Sequence, residues 1–221
     1  MTKITRTKRK TLALYISNGV LEVRAPMKMP MHEIERFIAS KEKWITGKLA
    51  HSAEQTKQRE MFQLHYGDSI FYLGNEYPIA AKDGKHIGFD NSFYMPPNLS
   101  PDEVKSACVQ IYRNLAKSEL TNRVNSFAKF MSVAPSSVKI NGAKTRWGSC
   151  SARGNINFSW RLMMANSDVV DYVVVHELAH LKEMNHSPKF WAIVVSVLPD
   201  YKERQQQLKA LQRRLATENW E

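Results

Sequence analysis

The sequence predicts an α+β fold, because strand-like and helix-like segments occupy separate stretches of the chain. Alternating apolar residues around a short turn mark strands near the N-terminus, and short aromatic-rich runs mark further strands between residues 69 and 95. The second half instead carries apolar residues at helical spacing over long stretches. With 221 residues, 43% hydrophobic and 24% charged, the chain allows one large domain or two small ones.

The N-terminal region is predicted to hold a β-hairpin and one helix. Residues 11–17 alternate apolar and polar, Asn18-Gly19 is a strong hairpin turn signal, and the return strand ends at Pro26. Residues 31–50 carry apolar side chains at helical spacing, so we expect a helix there. The polar stretch 51–60 either extends this helix or links it to the next segment.

Residues 69–95 are predicted to form a small antiparallel sheet of short strands. Pro96-Pro97 ends this sheet, and the stretch from Pro96 to Ser100 is the best internal boundary. We therefore expect an N-terminal β-rich region over residues 1–98 and a second domain over residues 99–221.

The second domain is predicted to begin with a long helix. Ser100 caps it, Pro101 takes the first turn and Glu103 closes a capping box, after which an apolar stripe continues towards Met131. Two short strands are expected at residues 138–140 and 156–158.

Three further helices complete the predicted domain. Ser167 is predicted to cap the first of them, which runs through a valine-rich stretch into residues 176–186. The other two are expected to begin at Ser187-Pro188 and Pro199-Asp200.

Residues 176–186, His-Glu-Leu-Ala-His-Leu-Lys-Glu-Met-Asn-His, carry the chemistry. His176 and His180 are four residues apart, so on a helix their rings lie on one face, where two imidazoles can bind one zinc ion. Glu177 lies beside them as the candidate catalytic base. A metal held in this way activates water, so the sequence predicts a metal-dependent hydrolase.

The third ligand is predicted to be His186, which has the spacing of the pattern H-E-x-x-H-x-x-G-x-x-H. Glu183 occupies the glycine position of that pattern, so we expect Asn185 to supply a left-handed backbone conformation instead. Glu183 itself is the competing third ligand. One zinc ion is the expected cofactor, and imidazole ligands also suit other divalent transition ions.

The segment from Thr145 to Cys150, between two predicted strands, is a candidate substrate-binding loop. Arg146 can bind a carboxylate, a phosphate or a developing oxyanion, and Trp147 and Lys144 are candidates beside it. In the alternative interpretation Trp147 belongs to the core and Cys150 is a small buried residue. Spacing alone leaves both interpretations open.

Charge and composition narrow the classes of partner. The net charge of +11 favours polyanions such as nucleic acid or nucleotide phosphates, although scattered basic residues equally suit a solvated surface. Two cysteines exclude a disulfide scaffold, and no apolar run approaches the ~20 residues of a membrane span. The basic N-terminus lacks the apolar core of a signal peptide. We therefore expect a cytoplasmic protein without membrane contact.

Several longer segments resemble a known family. They are Thr145–Cys150, Ile156–Phe158, Asp171–His180 and Asn185–Trp191, with Arg6–Thr11, Val23–Pro26, Phe37–Ile38 and Lys43–Ile45 nearer the N-terminus. Through these segments most of the chain resembles the YgjP-like metallopeptidase family, and it is more distantly similar to the SprT-like and WLM metalloproteases, some of which act on DNA-bound proteins. The resemblance implies a zincin-like core, with His176 and His180 on a helix beneath a small antiparallel sheet, His186 as third ligand and Glu177 as base.

Three functions are compatible with these residues. The first is zinc-dependent hydrolysis of peptide bonds, in which the strand near Ile156 or its neighbour pairs with an extended peptide. The second follows from the resemblance, since a family member is described as a pyrophosphatase acting on UTP; it predicts that Arg146, Lys144 and Lys182 converge on the metal. The third is a nucleic-acid-binding protein with a vestigial metal site, which the intact histidine and glutamate set disfavours.

Overall fold

The chain forms two compact units in a computed structural model that describes residues 2–17 and 19–221. One unit spans the chain up to Phe62 together with Ala216–Asn219, and the other comprises Gln63–Leu215 with Trp220–Glu221. The described residues form six α-helices and three small sheets, which confirms the α+β class.

The division between the units does not coincide with the predicted boundary near residue 98. The strands between residues 69 and 95 pack within the second unit, where the ring centroid of Phe93 lies 4.9 Å from that of Tyr112 on the long helix. Burial of this aromatic contact joins the small sheet to the helix that follows it.

The first unit is a three-stranded sheet followed by two helices. Its elements are β1 (Thr2–Thr7), β2 (Ala13–Ser17), β3 (Val20–Pro26), α1 (Met31–Ser40) and α2 (Glu42–Met61). The strand order is β1-β3-β2, with β3 antiparallel to β2 and parallel to β1. The predicted hairpin is confirmed, although Asn18 of its turn lies outside the described residues, as does Met1.

Two features of this unit differ from the prediction. Strand β1 has no counterpart among the predicted strands, because its pairing with β3 joins segments that are not adjacent in sequence. The single predicted helix is two helices, separated at Lys41, whose φ of −112° and ψ of 12° leave the helical range. The core of the unit brings together Leu21, Val23, Ala25, Ile34 and Ile45.

The second unit begins with a four-stranded mixed sheet. Its strands are β4 (Ser69–Tyr72), β5 (Asn75–Ala81), β6 (Gly88–Phe89) and β7 (Phe93–Met95), in the order β4-β5-β7-β6. The prediction of a purely antiparallel sheet is wrong at one pair, since β5 and β7 run parallel. The segment between them holds β6, which forms the edge beside β7 and leaves β5 to pair with β7 in the same direction.

The long helix α3 (Pro101–Met131) begins as predicted. The Ser100 hydroxyl accepts the backbone N–H of Glu103, and the Glu103 carboxylate accepts the backbone N–H of Ser100 at 2.8 Å, which completes the capping box. Apolar side chains along α3, from Val104 to Met131, are buried in the core of this unit.

The sheet nearest the candidate site is also mixed. Its strands are β8 (Ser137–Asn141), β9 (Gly148–Cys150) and β10 (Asn155–Ser159), in the order β8-β10-β9. Strand β10 is parallel to β8 and antiparallel to β9, so the antiparallel sheet expected for this core is wrong at the β8–β10 pair. Strand β9 lies in a segment predicted as loop, since Gly-Ser-Cys has no β-branched or alternating pattern.

The remaining elements surround one central helix. A buried 3₁₀ helix (Trp160–Met164) leads to α4 (Ser167–Ala179), which is followed by α5 (Pro188–Val197) and α6 (Tyr201–Leu215). Apolar residues lie on all sides of α4, as expected for a helix in the centre of a domain. Asn166 rather than the predicted Ser167 occupies its N-cap, since the Ser167 side chain instead binds the Arg123 guanidinium. None of the described helices has the length and apolar character needed to cross a membrane.

Candidate metal centre

The C-terminal end of α4 presents two histidines on one face. Helix α4 ends at Ala179, and His180 follows with φ of −64° and ψ of −19°, which continues the right-handed helical path by one residue. The rings of His176 and His180 therefore lie together, with centroids 5.0 Å apart. The predicted i, i+4 arrangement is present although the second histidine lies just beyond the helix.

The chain turns back after His180 and brings His186 to the same point. Backbone N–H groups of Leu181 and Glu183 donate to the last carbonyls of α4, at 3.0 Å each. Asn185 is not among the residues with positive φ, so the expected left-handed conformation at Asn185 is wrong. The chain reverses without a positive φ at any residue from 181 to 186, which explains why glycine is not needed at position 183.

The three histidines form a cluster of suitable size for one ion. One ligand nitrogen from each of His176, His180 and His186 lies within 4.8 Å of the others, and the Nε2 atoms of His176 and His186 are 3.0 Å apart. Two nitrogens bound to one tetrahedral zinc at about 2.0–2.1 Å would lie about 3.3 Å from each other. The carboxylate of Glu183, the competing ligand, is not part of this cluster.

The protonation of the cluster also suits a cation. Burial lowers the pKa of His176 to about 3, and the neighbouring His180 and His186 act in the same direction. Burial likewise lowers the pKa of His180, whose Nδ1 lies 3.2 Å from the Glu183 carbonyl oxygen. If Nδ1 donates to that carbonyl, Nε2 of His180 keeps its lone pair for a metal. His176 and His180 therefore favour the neutral imidazole form, which is the donor chemistry that a divalent transition ion requires.

Aromatic side chains from α4 and α5 hold the imidazoles in place. The fully buried ring of Phe190 lies 4.6–5.0 Å from all three histidine rings. Trp191 stacks on His186 at 5.8 Å, and Tyr172, one turn before His176, contacts that ring at its edge. This apolar wall fixes the ring positions and limits water around the cluster.

Glu177 points into the protein beside strand β9. Its side chain is only 5% exposed, and burial raises its pKa to about 7, while the charge of Arg146 acts in the opposite direction. A Cβ atom added at Gly148 would lie 2.5 Å from Oε1 of Glu177 and 2.6 Å from its Cγ. Glycine at position 148 is therefore what allows the carboxyl group to lie against β9.

A small cavity adjoins the carboxyl group and His176. Its volume is about 210 Å³, and it is lined by Trp147, Gly148, Tyr172, Val173, His176, Glu177 and Leu208. Oε2 of Glu177 and Nδ1 of His176 are buried without a hydrogen-bond partner among the described residues.

The candidate substrate-binding residues are divided between the site and other contacts. Trp147 lines the cavity, and the exposed Arg146 is near enough to act on the pKa of Glu177. Lys144 instead forms an ion pair with Glu221. Lys182 is exposed just after the helix. Of these three cations, Arg146 is the one whose charge acts on Glu177.

Several residues of the site were not predicted from the sequence. Gly148 and Phe190 contact the base and the histidines, but only the fold brings them there. Tyr172 precedes His176 by four residues, so helical spacing was a usable signal for its contact with that ring.

The chain is similar to one protein family and to solved structures of two metallopeptidases. A family model described as "YgjP-like, metallopeptidase domain" matches residues 10–211. The metallopeptidase zymogen abylysin of Pyrococcus abyssi is 24% identical with a TM-score of 0.39, covering 41% of this chain and 92% of its own. The metallopeptidase zymogen jannalysin of Methanocaldococcus jannaschii is 20% identical with a TM-score of 0.37. The match covers 42% of this chain and 95% of the jannalysin chain. No curated protein matches the chain.

Proposed function

The chain belongs to the YgjP-like family, whose matching model is a metallopeptidase domain, and we propose that it is a zinc-dependent peptidase with Glu177 as base. His176, His180 and His186 would hold the ion. The observation that carries this proposal is the position of the buried Glu177 carboxyl group, which lies against β9 directly beside the histidine cluster.

The protein residues account for the movement of the proton. A bound zinc ion would act as a Lewis acid and bring the pKa of a water molecule to about 7. Glu177, with a pKa raised to about 7, is matched to take a proton from water at Oε2 and to pass it to the leaving amine. Arg146 lies beside this carboxyl group, and its positive charge would stabilise the oxyanion that forms on the substrate carbonyl.

Strand β9 is the proposed binding edge for an extended peptide. Strand β10, which contains Ile156, lies in the middle of its sheet, whereas both of its neighbours, β8 and β9, are edge strands. Gly148 of β9 touches Glu177, so a peptide paired with this edge would run past the proposed base. Strand β9, which lies in the segment that the sequence predicted as a loop, is therefore the candidate.

A peptide substrate is favoured over a nucleotide. Hydrolysis of a phosphoanhydride needs several cations around the phosphates. Lys144 is paired with Glu221, which leaves Arg146 as the cation whose charge acts on Glu177. Contact with nucleic acid stays a prediction from net charge. A cytoplasmic location also stays a prediction, and the two unpaired cysteines suit a reducing compartment.

The test compares the wild-type protein with Glu177→Gln on two substrate classes. Zinc-loaded protein is incubated with an unfolded protein and, separately, with a panel of nucleoside triphosphates. We expect proteolysis by the wild type and a loss of at least about a hundredfold in the variant, with equal zinc content. The variant Glu203→Gln, exposed on α6, is the matched control and should retain full activity.

Three outcomes would contradict the proposal. Proteolysis that persists in Glu177→Gln removes this residue from the reaction. Triphosphate hydrolysis without proteolysis identifies a nucleotidase, and cleavage of neither substrate supports a binding role.

The third ligand is tested separately by metal analysis. We expect His186→Ala to lower the zinc stoichiometry and Glu183→Ala to leave it unchanged, because only the histidine side chain reaches the cluster. Loss of zinc from Glu183→Ala with retention in His186→Ala would reverse the assignment.

A further inference from the structure

A second polar cleft lies at the other edge of the sheet that carries β9. It has a volume of about 450 Å³ and lies between α3 and the edge strand β8, with β10 separating β8 from β9. Two strand spacings of about 4.8 Å separate the edges, so the cleft is about 10 Å from β9 across the sheet. It is therefore distinct from the histidine cluster, and its occupation does not depend on the proposed peptidase function.

The walls of the cleft carry positive charge from two elements. Helix α3 contributes Arg113 and Lys117, which are four residues apart and so share a helix face, and β8 contributes Lys139. All three side chains are exposed, and none of them forms an ion pair within the described part of the chain. No carboxylate lines the cleft. Three cations gathered without an acid repel one another, and an anion would relieve that repulsion.

A fourth cation lies beneath the same region. The buried guanidinium of Arg161 donates to the Gly142 carbonyl at 2.7 Å. Burial lowers the pKa of Arg161, Glu221 opposes this effect, and the nearby Arg113 adds to it. An added Cβ at Gly142 would lie 3.3 Å from the Arg113 guanidinium, so Arg113 and Arg161 meet at this glycine. The cationic cluster thus continues from the cleft into the core.

The remaining lining suits a small ligand with a phosphate group. Asn114 offers an amide for hydrogen bonds, whereas the Thr121 hydroxyl donates to the Lys117 carbonyl at 2.6 Å, and Val138 and Ile140 add apolar surface. The volume is in the range of pockets that take small molecules, about 300–1,000 Å³. Guanidinium and ammonium groups are the side chains that bind phosphate through charge-assisted hydrogen bonds.

We propose that the cleft between α3 and β8 binds a small multivalent phosphate anion through Arg113, Lys117 and Lys139. The ligand belongs to the class of pyrophosphate and of small molecules that carry a diphosphate. Such an anion matches the lining charge, which a monovalent carboxylate would not.

Calorimetric titration of inorganic pyrophosphate into the metal-free full chain tests the site, because removal of metal prevents binding of pyrophosphate at the histidine cluster. The test variant is Lys117→Gln with Lys139→Gln. The control is Lys48→Gln with Lys57→Gln, which removes two exposed charges from α2 in the other unit. We expect one-to-one saturable binding by the wild type, at least tenfold weaker binding by the test variant and less than twofold change in the control.

Three results would overturn the proposal. Absence of saturable binding by the wild type removes the site, and equal weakening in both double variants shows a response to net charge alone. A single-stranded oligonucleotide of about 20 nucleotides is titrated in parallel. If it binds through Lys117 and Lys139 while pyrophosphate does not, the cleft belongs to a nucleic-acid surface and not to a small-ligand site. Unchanged thermal midpoints in both variants exclude misfolding as the cause.

Discussion

Replacing Glu177 with glutamine removes the proposed base. In the metal-free protein we expect the stability of this variant, relative to the wild type, to be greater at pH 8 than at acidic pH. Burial raises the pKa of Glu177 from its ordinary 4.5 to about 7, with Arg146 acting in the opposite direction. Between these values the folded protein binds a proton that the unfolded chain has released. The contribution of this group to stability is therefore present below pH 4.5 and is lost as the pH rises through about 7.

The magnitude follows from the size of the pKa shift. One pKa unit corresponds to about 1.4 kcal/mol, so a change from 4.5 to about 7 amounts to about 3 kcal/mol. The side chain is 5% exposed, so solvent screens this effect little. Glutamine has a similar shape but does not ionise, and the cost of burying its amide is the same at every pH. We therefore expect the free energy of unfolding of the variant, relative to wild type, to rise by about 2–3 kcal/mol between about pH 4 and pH 8.

Urea unfolding of chelator-treated protein, followed by tryptophan fluorescence across this pH range, measures the difference. Glu203→Gln, at an exposed position on α6, controls for the loss of one negative charge and should follow the wild type. Equal pH dependence in wild type and Glu177→Gln would refute the reasoning. So would a wild type that gains stability relative to the variant as the pH rises.

Three further predictions concern packing. Gly148→Ala is expected to lower peptidase activity at least about tenfold with zinc content unchanged, because the added methyl group would lie 2.5 Å from Glu177 Oε1; activity equal to wild type would contradict the contact. Arg123→Ala should lower the free energy of unfolding by about 2–3 kcal/mol in the same urea assay, because this guanidinium joins α3 to α4. The control Arg213→Ala, at an exposed position, should change the free energy of unfolding by less than about 0.5 kcal/mol. Cys108 is fully buried, so a disulfide reagent should modify one thiol per native chain and a second after unfolding; two rapidly reacting native thiols would contradict this packing.

Local patterns account for the elements that were predicted correctly. The capping box at Ser100 and the cap at Ser187 involve residues three apart, so sequence reveals them directly. Alternation on either side of a turn predicts the pairing of β2 with β3. In each case, the interacting groups lie within one helix turn or one hairpin.

Long-range pairing accounts for most of the errors. Strand β1 pairs with β3 across an intervening strand, and β5 pairs in parallel with β7 across β6. Strand β9 consists of Gly, Ser and Cys, and it is a strand because β10 provides hydrogen-bond partners for it. None of these pairings leaves a local pattern, so propensity and alternation could not identify them.

The sequence by itself determined the candidate ligands and the candidate base. His176 and His180 share a face because of helical periodicity, and their imidazoles are metal donors in any fold that leaves them side by side. The tertiary structure decided the rest. It brought His186 to the pair, buried Glu177 so that its pKa rises, and placed Gly148 against the carboxyl group. Burial and contacts between distant segments set these properties, and they exist only once the chain has folded.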